Sequence, residues 1–157
     1  MKLKITISLI LLTLFCSVSV FSQDEKPSAI SILLDNTGSM YFEIDNIKKL
    51  GIGIVQNLSK KDEVKIFSFE KVKEEKAQTK INSSLDWTQD REEIYSAINE
   101  LEIVGGKTTI FDGILVALKD LSQKGKAEKD TRLNKILILI TDGEDRSSKS
   151  EEQDILD

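Results

Sequence analysis

The order of apolar and amphipathic stretches predicts an α/β domain built on a doubly wound, mostly parallel sheet with helices on both faces. Three observations carry that prediction. The short runs AISILL (29–34), EVKIFSF (63–69) and KILILI (135–140) have the length and apolar content of strands covered on both faces. The segments between them repeat apolar residues at helical spacing. Strand and helix then alternate along the chain, the pattern that crossover connections turn into a parallel sheet.

Taken in order, Ala29 to Leu34 forms the first strand. After the polar turn DNTGSM, residues Ile44, Ile47, Gly51, Ile54, Val55 and Leu58 set an amphipathic helix over 43–59. EVKIFSF is the second strand, the charged EKVKEEK (70–76) a solvated turn, and KAQTKINSSL (76–85) a more polar strand suited to a sheet edge. Asp90-Arg-Glu-Glu93 resembles a capping box, opening a helix with Ile94, Ala97, Ile98 and Leu101 on one face. GGKTT leads into a helix with Phe111, Ile114, Leu115, Leu118 and Leu121 on one side, and KILILITDG supplies the last strand before the polar EDRSSKSEEQ. No internal repeat is present, and compositional bias is confined to that Ser/Glu/Lys-rich end.

Residues 1–22 read as a cleaved signal peptide. Lys2 and Lys4 precede an apolar run from Ile5 to Phe15, and Val20-x-Ser22 offers small residues before Gln23. An uncleaved anchor is the alternative, since Ile5 to Phe21 reaches the bottom of the spanning range, but Ser17, Ser19 and the small-residue exit argue against it. Cys16 is a poor lipidation site with Phe15 before it. Residues 23–27 form a linker ending at Pro27, the only proline, and 28–157 form one domain. The chain stops in what reads as the opening of a helix.

Composition excludes several functions. The chain of 157 residues carries a formal charge of −5; residues 1–22 hold two lysines and no acids, so the remainder carries −7. That argues against a nucleic-acid surface, which needs clustered cations. The only cysteine lies in the signal segment, so the exported part has no internal disulfide. With no histidine anywhere, Ser-His-Asp and Cys-His catalysis and the usual zinc sites are removed together.

Gly106-Lys107-Thr108 resembles the end of a phosphate-binding loop, but the first glycine of that motif is replaced by Leu101 and a helical segment precedes it instead of a strand. A different arrangement accounts for these residues. In open parallel sheets, ligands bind past the carboxyl ends of the strands where strand order reverses. The first strand runs into DNTGSM and the last into TDGED, so a chain that winds outward and returns beside the first strand brings Asp35 and Asp142 to that crevice. Alternate residues of an extended turn face one side, so Asp35, Thr37 and Ser39 converge, and Thr108 or Thr109 adds a further hydroxyl. Such hard oxygens suit Mg²⁺, Mn²⁺ or Ca²⁺, and a small set keeping several waters favours Mg²⁺. Each fragment alone is ordinary turn composition; it is their combination at strand and loop ends that points to a site.

ISILLDNTGSM, GGKTTIFDGI and ILILITDGED together resemble the three metal-site segments of the von Willebrand factor A domain, a Rossmann-like fold, over about residues 28 to 157. The resemblance implies a metal-ion-dependent adhesion site in which Asp35, Thr37, Ser39, Thr108 and Asp142 surround the ion. Thr108 is chosen over Thr109 because it stands four residues before Asp112, as in the family's pattern. Thr37 and Ser39 would bind directly, with Asp35 and Asp142 often acting through water. Thr37 stands where serine is commoner, keeping the oxygen and adding a methyl. Asp112 and Glu144 read as capping or supporting residues.

The family continues through further strands and helices, so the expectation is a chain truncated at the C-terminus that covers roughly the first two thirds of the domain. The implied function is adhesion. An exported module binds a protein partner whose Asp or Glu completes the ion's coordination, with no catalysis, nucleic acid or small-molecule substrate, and Lys107 steers acidic partners. One alternative is a haloacid-dehalogenase-like phosphatase with Asp35 as nucleophile; Thr37 stands where its acid/base aspartate is required. Another is a scaffold of the same fold that binds without metal.

Overall fold

The computed structural model describes residues 26–71, 79–125, 133–143 and 145–156. Strand β1, Ser28–Leu34, runs through the middle of the sheet, and every residue after Ser28 is buried. Strand β2, Glu63–Lys71, pairs with it in parallel from Ala29 opposite Glu63 to Leu34 opposite Ser68. Strand β4, Asn134–Ile140, pairs in parallel on the other side, from Ser28 opposite Asn134 to Leu34 opposite Ile140. Strand β3, Thr79–Thr88, is antiparallel to β2 and gives the order β3-β2-β1-β4. The chain therefore leaves β1 in one direction and returns on its other side. That reversal opens a crevice beyond the carboxyl ends of β1 and β4.

Side chains alternate across the strands, so each face of the sheet has its own core. Helices α1, Ile44–Gln56, and α2, Arg91–Asn99, cover one face, where Ile30, Ile32, Leu34, Val64 and Ile66 meet Ile47, Val55, Ile94 and Ile98. Helix α3, Ile110–Gln123, covers the other, where Leu33, Phe67 and Phe69 meet Ala117. A short helix α4, Glu152–Leu156, ends the described chain. Helices on both faces confirm the doubly wound architecture, with one antiparallel edge strand. Among the described residues no helix is long and apolar enough to cross a membrane. Residues 1–22, read as the signal peptide, lie outside the described residues, as do most of the turn expected at 70–76 and most of the linker.

Several elements depart from their expected bounds for identifiable reasons. The helix expected over 43–59 is shorter, because Gly38–Phe42 forms a separate 3-10 turn and the N–H groups of Asn57 and Leu58 close back on Ile54 and Val55. Asp90 caps α2 by accepting from the N–H of Glu92 at 2.9 Å and of Glu93 at 3.3 Å. The reciprocal half of a capping box is missing, because the Asp90 N–H donates to Thr88 Oγ1 at 3.0 Å. Strand β4 is less covered than its apolar sequence suggests. Only Ile140 is buried and Ile136 is 41% exposed, because β4 is the outer strand of the sheet.

The buried stripe of α3 runs through Ile110, Gly113, Ala117 and Leu121, while Phe111, Leu115 and Leu118 are only half-buried. The two small residues let the helix lie close to the sheet. A Cβ on Gly113 would sit 2.9 Å from Leu33 Cδ2 and 3.3 Å from Ile81 Cδ1. Both obstacles are ends of flexible side chains, and alanine gains about 1 kcal/mol of helix propensity. Gly113→Ala is therefore expected within about 1 kcal/mol of the parent in urea unfolding, and Gly113→Val, whose methyls enter the space of Leu33, about 1–3 kcal/mol less stable. Equal stability of the two variants would rule out this close approach.

Candidate metal centre

Asp35 follows β1 directly, and its N–H continues the strand pairing by donating to Ile140 O at 2.9 Å. The residue is fully buried. Its Oδ1 accepts from the N–H of Thr37 at 3.0 Å and from the Thr37 hydroxyl at 2.7 Å. Its Oδ2 accepts from the Thr141 hydroxyl at 2.7 Å. Thr37 is extended, with φ −73° and ψ 173°, and the 3-10 turn after it carries Ser39 back toward the same point. Buried Met40, whose N–H donates to Thr37 O at 3.0 Å, anchors that turn.

The Thr37 hydroxyl lies 2.9 Å from Thr108 Oγ1 and 3.4 Å from Ser39 Oγ. Since its single proton goes to Asp35, the other two hydroxyls donate to it. Asp35, Thr37, Ser39 and Thr108 thus form one connected cluster of oxygens. Among the described residues no hydrogen bond joins Asp142 to it. Successive residues past β4 face opposite sides, so Thr141 turns in to Asp35 while Asp142 is exposed at the rim. Thr109 is buried next to Thr108, and its hydroxyl has no hydrogen-bond partner among the described residues.

The paired glycines bring Thr108 to this cluster. Gly105 and Gly106 have φ of 70° and 87°, the left-handed region that glycine occupies without strain. They let the loop pass over Gly38, where a Cβ would sit 3.7 Å from Gly105 Cα. Asn36, read from sequence only as turn composition, fixes the same loop. Its Oδ1 accepts from the Phe69 N–H at 2.9 Å, its Nδ2 donates to Glu102 O at 2.7 Å, and its carbonyl accepts from the Val104 N–H at 3.0 Å. Alternation was the available signal, because a residue between two site-facing neighbours must point inward.

The start of α3 is held by a segment distant in sequence. The N–H of Phe111 donates to Asp145 Oδ2 at 3.0 Å, and that of Asp112 to Ser148 Oγ at 3.1 Å. In return Asp112 accepts from the N–H groups of Lys149 at 3.2 Å and Ser150 at 3.0 Å, and Thr108 O accepts from the Arg146 N–H at 2.9 Å. Asp112, read from sequence as a capping or supporting residue, thus supports the site by tying the 149–150 backbone to the start of α3. Asp145 and Ser148 were missed, although Asp-x-x-Ser is a recognisable turn former. Glu144 lies outside the described residues.

Burial pushes the Asp145 carboxyl upward, and the hydrogen bonds from Ser148, Phe111 and Ser147 together outweigh it, leaving the group below the usual aspartate range. A lowered folded pKa contributes stability above the unfolded value near pH 3.9 and loses it as pH falls through the folded one. Asp145→Asn is therefore expected to flatten the acid limb of a stability-against-pH curve below about pH 4. An unchanged acid limb would rule out this contribution.

The donor set offers oxygen alone. Among the described residues no three His, Cys, Asp or Glu side chains gather at one point. Hydroxyls around one buried carboxylate, with a second carboxylate at the rim, fit a small hard cation that keeps water ligands, and they do not fit zinc.

A family model for the von Willebrand factor type A domain matches residues 29–157. The chain therefore belongs to the von Willebrand factor type A family. A comparison with curated proteins finds no match. Among solved structures, the fold is similar to the vWF domain of the type V pili tip protein Mfa5 from Porphyromonas gingivalis, with 16% identity and a TM-score of 0.58 over 76% of this chain and 38% of that one. It is also similar to proximal thread matrix protein 1 from the mussel byssus, with 17% identity and a TM-score of 0.59 over 79% and 33%. The pilus adhesin SpaC from Lactobacillus rhamnosus GG gives 18% identity and a TM-score of 0.55 over 78% and 15%. The chain spans 15% to 38% of the length of these three structures.

Proposed function

We propose that this chain is an exported adhesion module. A divalent cation, Mg²⁺ with Mn²⁺ or Ca²⁺ as alternatives, is held by Asp35, Thr37, Ser39, Thr108 and Asp142, and an Asp or Glu of a protein partner completes its coordination. The observation that carries the reading is the meeting of Thr37 and Thr108, 71 residues apart in sequence, at 2.9 Å above buried Asp35. The bound ion supplies the positive charge that a carboxylate seeks. Thr37, Ser39 and Thr108 offer neutral lone pairs, so two carboxylates balance a divalent ion without quenching its attraction for a third. Asp35 orients the Thr37 hydroxyl, and Asp142 stands at the exposed rim, where a partner approaches.

Pilus proteins among the structural relatives support an adhesive role outside the cytoplasm, and the signal-like residues 1–22 support export to the periplasm, cell surface or medium. The phosphatase alternative asks Asp35 to attack a phosphate. Its burial and the hydrogen bonds on both its oxygens speak against that role. Thermal unfolding in EDTA and in millimolar Mg²⁺ tests the proposal. Saturation at about 100 times the dissociation constant adds about 2.7 kcal/mol, and Thr108→Val, which removes a hydroxyl at constant volume, is expected to lose most of that gain. A parent melt indifferent to metal would favour the metal-free scaffold.

A further inference from the structure

Tyr41 and Phe42 are 63% and 89% exposed, and their rings pack edge to face with centroids 5.1 Å apart. They are the only exposed aromatic residues among those described; Phe67 and Phe69 are buried, and Trp87, Tyr95 and Phe111 are half-buried. Their position in the fold is specific. Both sit on the 3-10 turn Gly38–Phe42 that carries Ser39, between buried Met40 and the Glu43 N–H that closes on Met40 O at 2.9 Å. The turn is fixed from below, so the rings are held out to solvent on the same short turn that carries Ser39.

We infer that Tyr41 and Phe42 are a second contact point of the adhesive surface, and that the partner is a protein segment carrying an apolar or aromatic side chain a few residues from its acidic one. The inference rests on the proposed metal-dependent function. A carboxylate alone is shared by every acidic protein, so selectivity needs a neighbouring contact, and exposed aromatic residues are the commonest anchors of binding energy. Charge excludes an anionic lipid surface, because residues 23–157 carry −7 and exposed Glu43 and Asp45 flank the rings. Two rings offer about 300–500 Å², short of the roughly 800 Å² per partner that a stable dimer buries. A short segment that also reaches the ion needs no more.

The test uses an array of short peptides in a glycine-serine background, each with one central glutamate and a single Leu, Phe or Trp walked along the neighbouring positions, beside matched peptides carrying serine there. The chain is expected to bind in Mg²⁺ and not in EDTA, with a preference of about tenfold for the apolar residue at one or two fixed offsets. Tyr41→Ser/Phe42→Ser is expected to erase that preference while keeping the Mg²⁺-dependent melting shift. Mg²⁺-dependent binding with no apolar preference, or a preference unchanged in the double variant, overturns the inference and leaves the metal reading standing. Absence of Mg²⁺-dependent binding to any glutamate peptide overturns both. Self-association that the double variant abolishes would assign the rings to a second copy and overturn the inference as well.

Discussion

Asp35→Asn is expected to abolish the Mg²⁺-dependent rise in melting temperature while leaving stability in EDTA within about 1 kcal/mol of the parent. The amide keeps an oxygen for the N–H and hydroxyl of Thr37, and its NH₂ donates to the Thr141 hydroxyl, which has lone pairs to spare. The exchange also removes a charge from a fully buried position whose hydrogen-bond partners include no cation. The lost increment is about 2.7 kcal/mol at a hundredfold excess over the dissociation constant, which for a domain of this size is roughly 8–14 °C. Differential scanning fluorimetry with and without EDTA reads both quantities. A metal shift that survives in the asparagine variant would remove Asp35 from the site, and collapse of the EDTA form would show that its charge is structural.

Asn36→Ala is expected to cost about 2–4 kcal/mol, through different bonds. Truncation leaves the N–H of Phe69, a residue only 1% exposed, without its acceptor, and takes the donor from Glu102 O. A buried polar group left unpaired costs more than the bond itself was worth. Urea unfolding in EDTA is expected to give a lower midpoint at unchanged slope. A midpoint within error of the parent would mean that water replaces the side chain and that the loop needs no such support.

The architecture was legible because its signals were local. β1, β2 and β4 announced themselves as apolar runs, α1 and α2 by spacing, and the polar strand at the edge by its composition. That Asp35 and Thr37 share one point followed from alternation and from the place where strand order reverses; Ser39 reaches it through a 3-10 turn instead of an extended one, and the choice of Thr108 over Thr109 came from the family resemblance. What escaped depends on contacts between distant segments. Asn36 ties the turn after β1 to strand β2 and to the loop that carries Thr108, Thr141 takes the bond to Asp35, and Asp145 with Ser148 caps a helix more than thirty residues earlier in the chain. Alternation could place Asn36 and Thr141 on a face, but no periodicity names the distant partner that each one meets. The face of α3 was misjudged because hydrophobicity points to Phe111, Leu115 and Leu118, whereas close packing selects the small residues Gly113 and Ala117.

The hydrogen bonds running both ways between the start of α3 and residues 145–150 consist of protein groups alone. The loop carrying Thr108 and the segment after β4 therefore lose their freedom when the chain folds, ahead of any ion. If the site takes up Mg²⁺ as proposed, binding to parts already in place changes little apolar exposure, and its heat-capacity change is expected to be close to zero. Titration calorimetry at several temperatures would then return one nearly constant enthalpy, the signature of a preassembled site, in contrast to the sloping enthalpy of a site that folds around its ion.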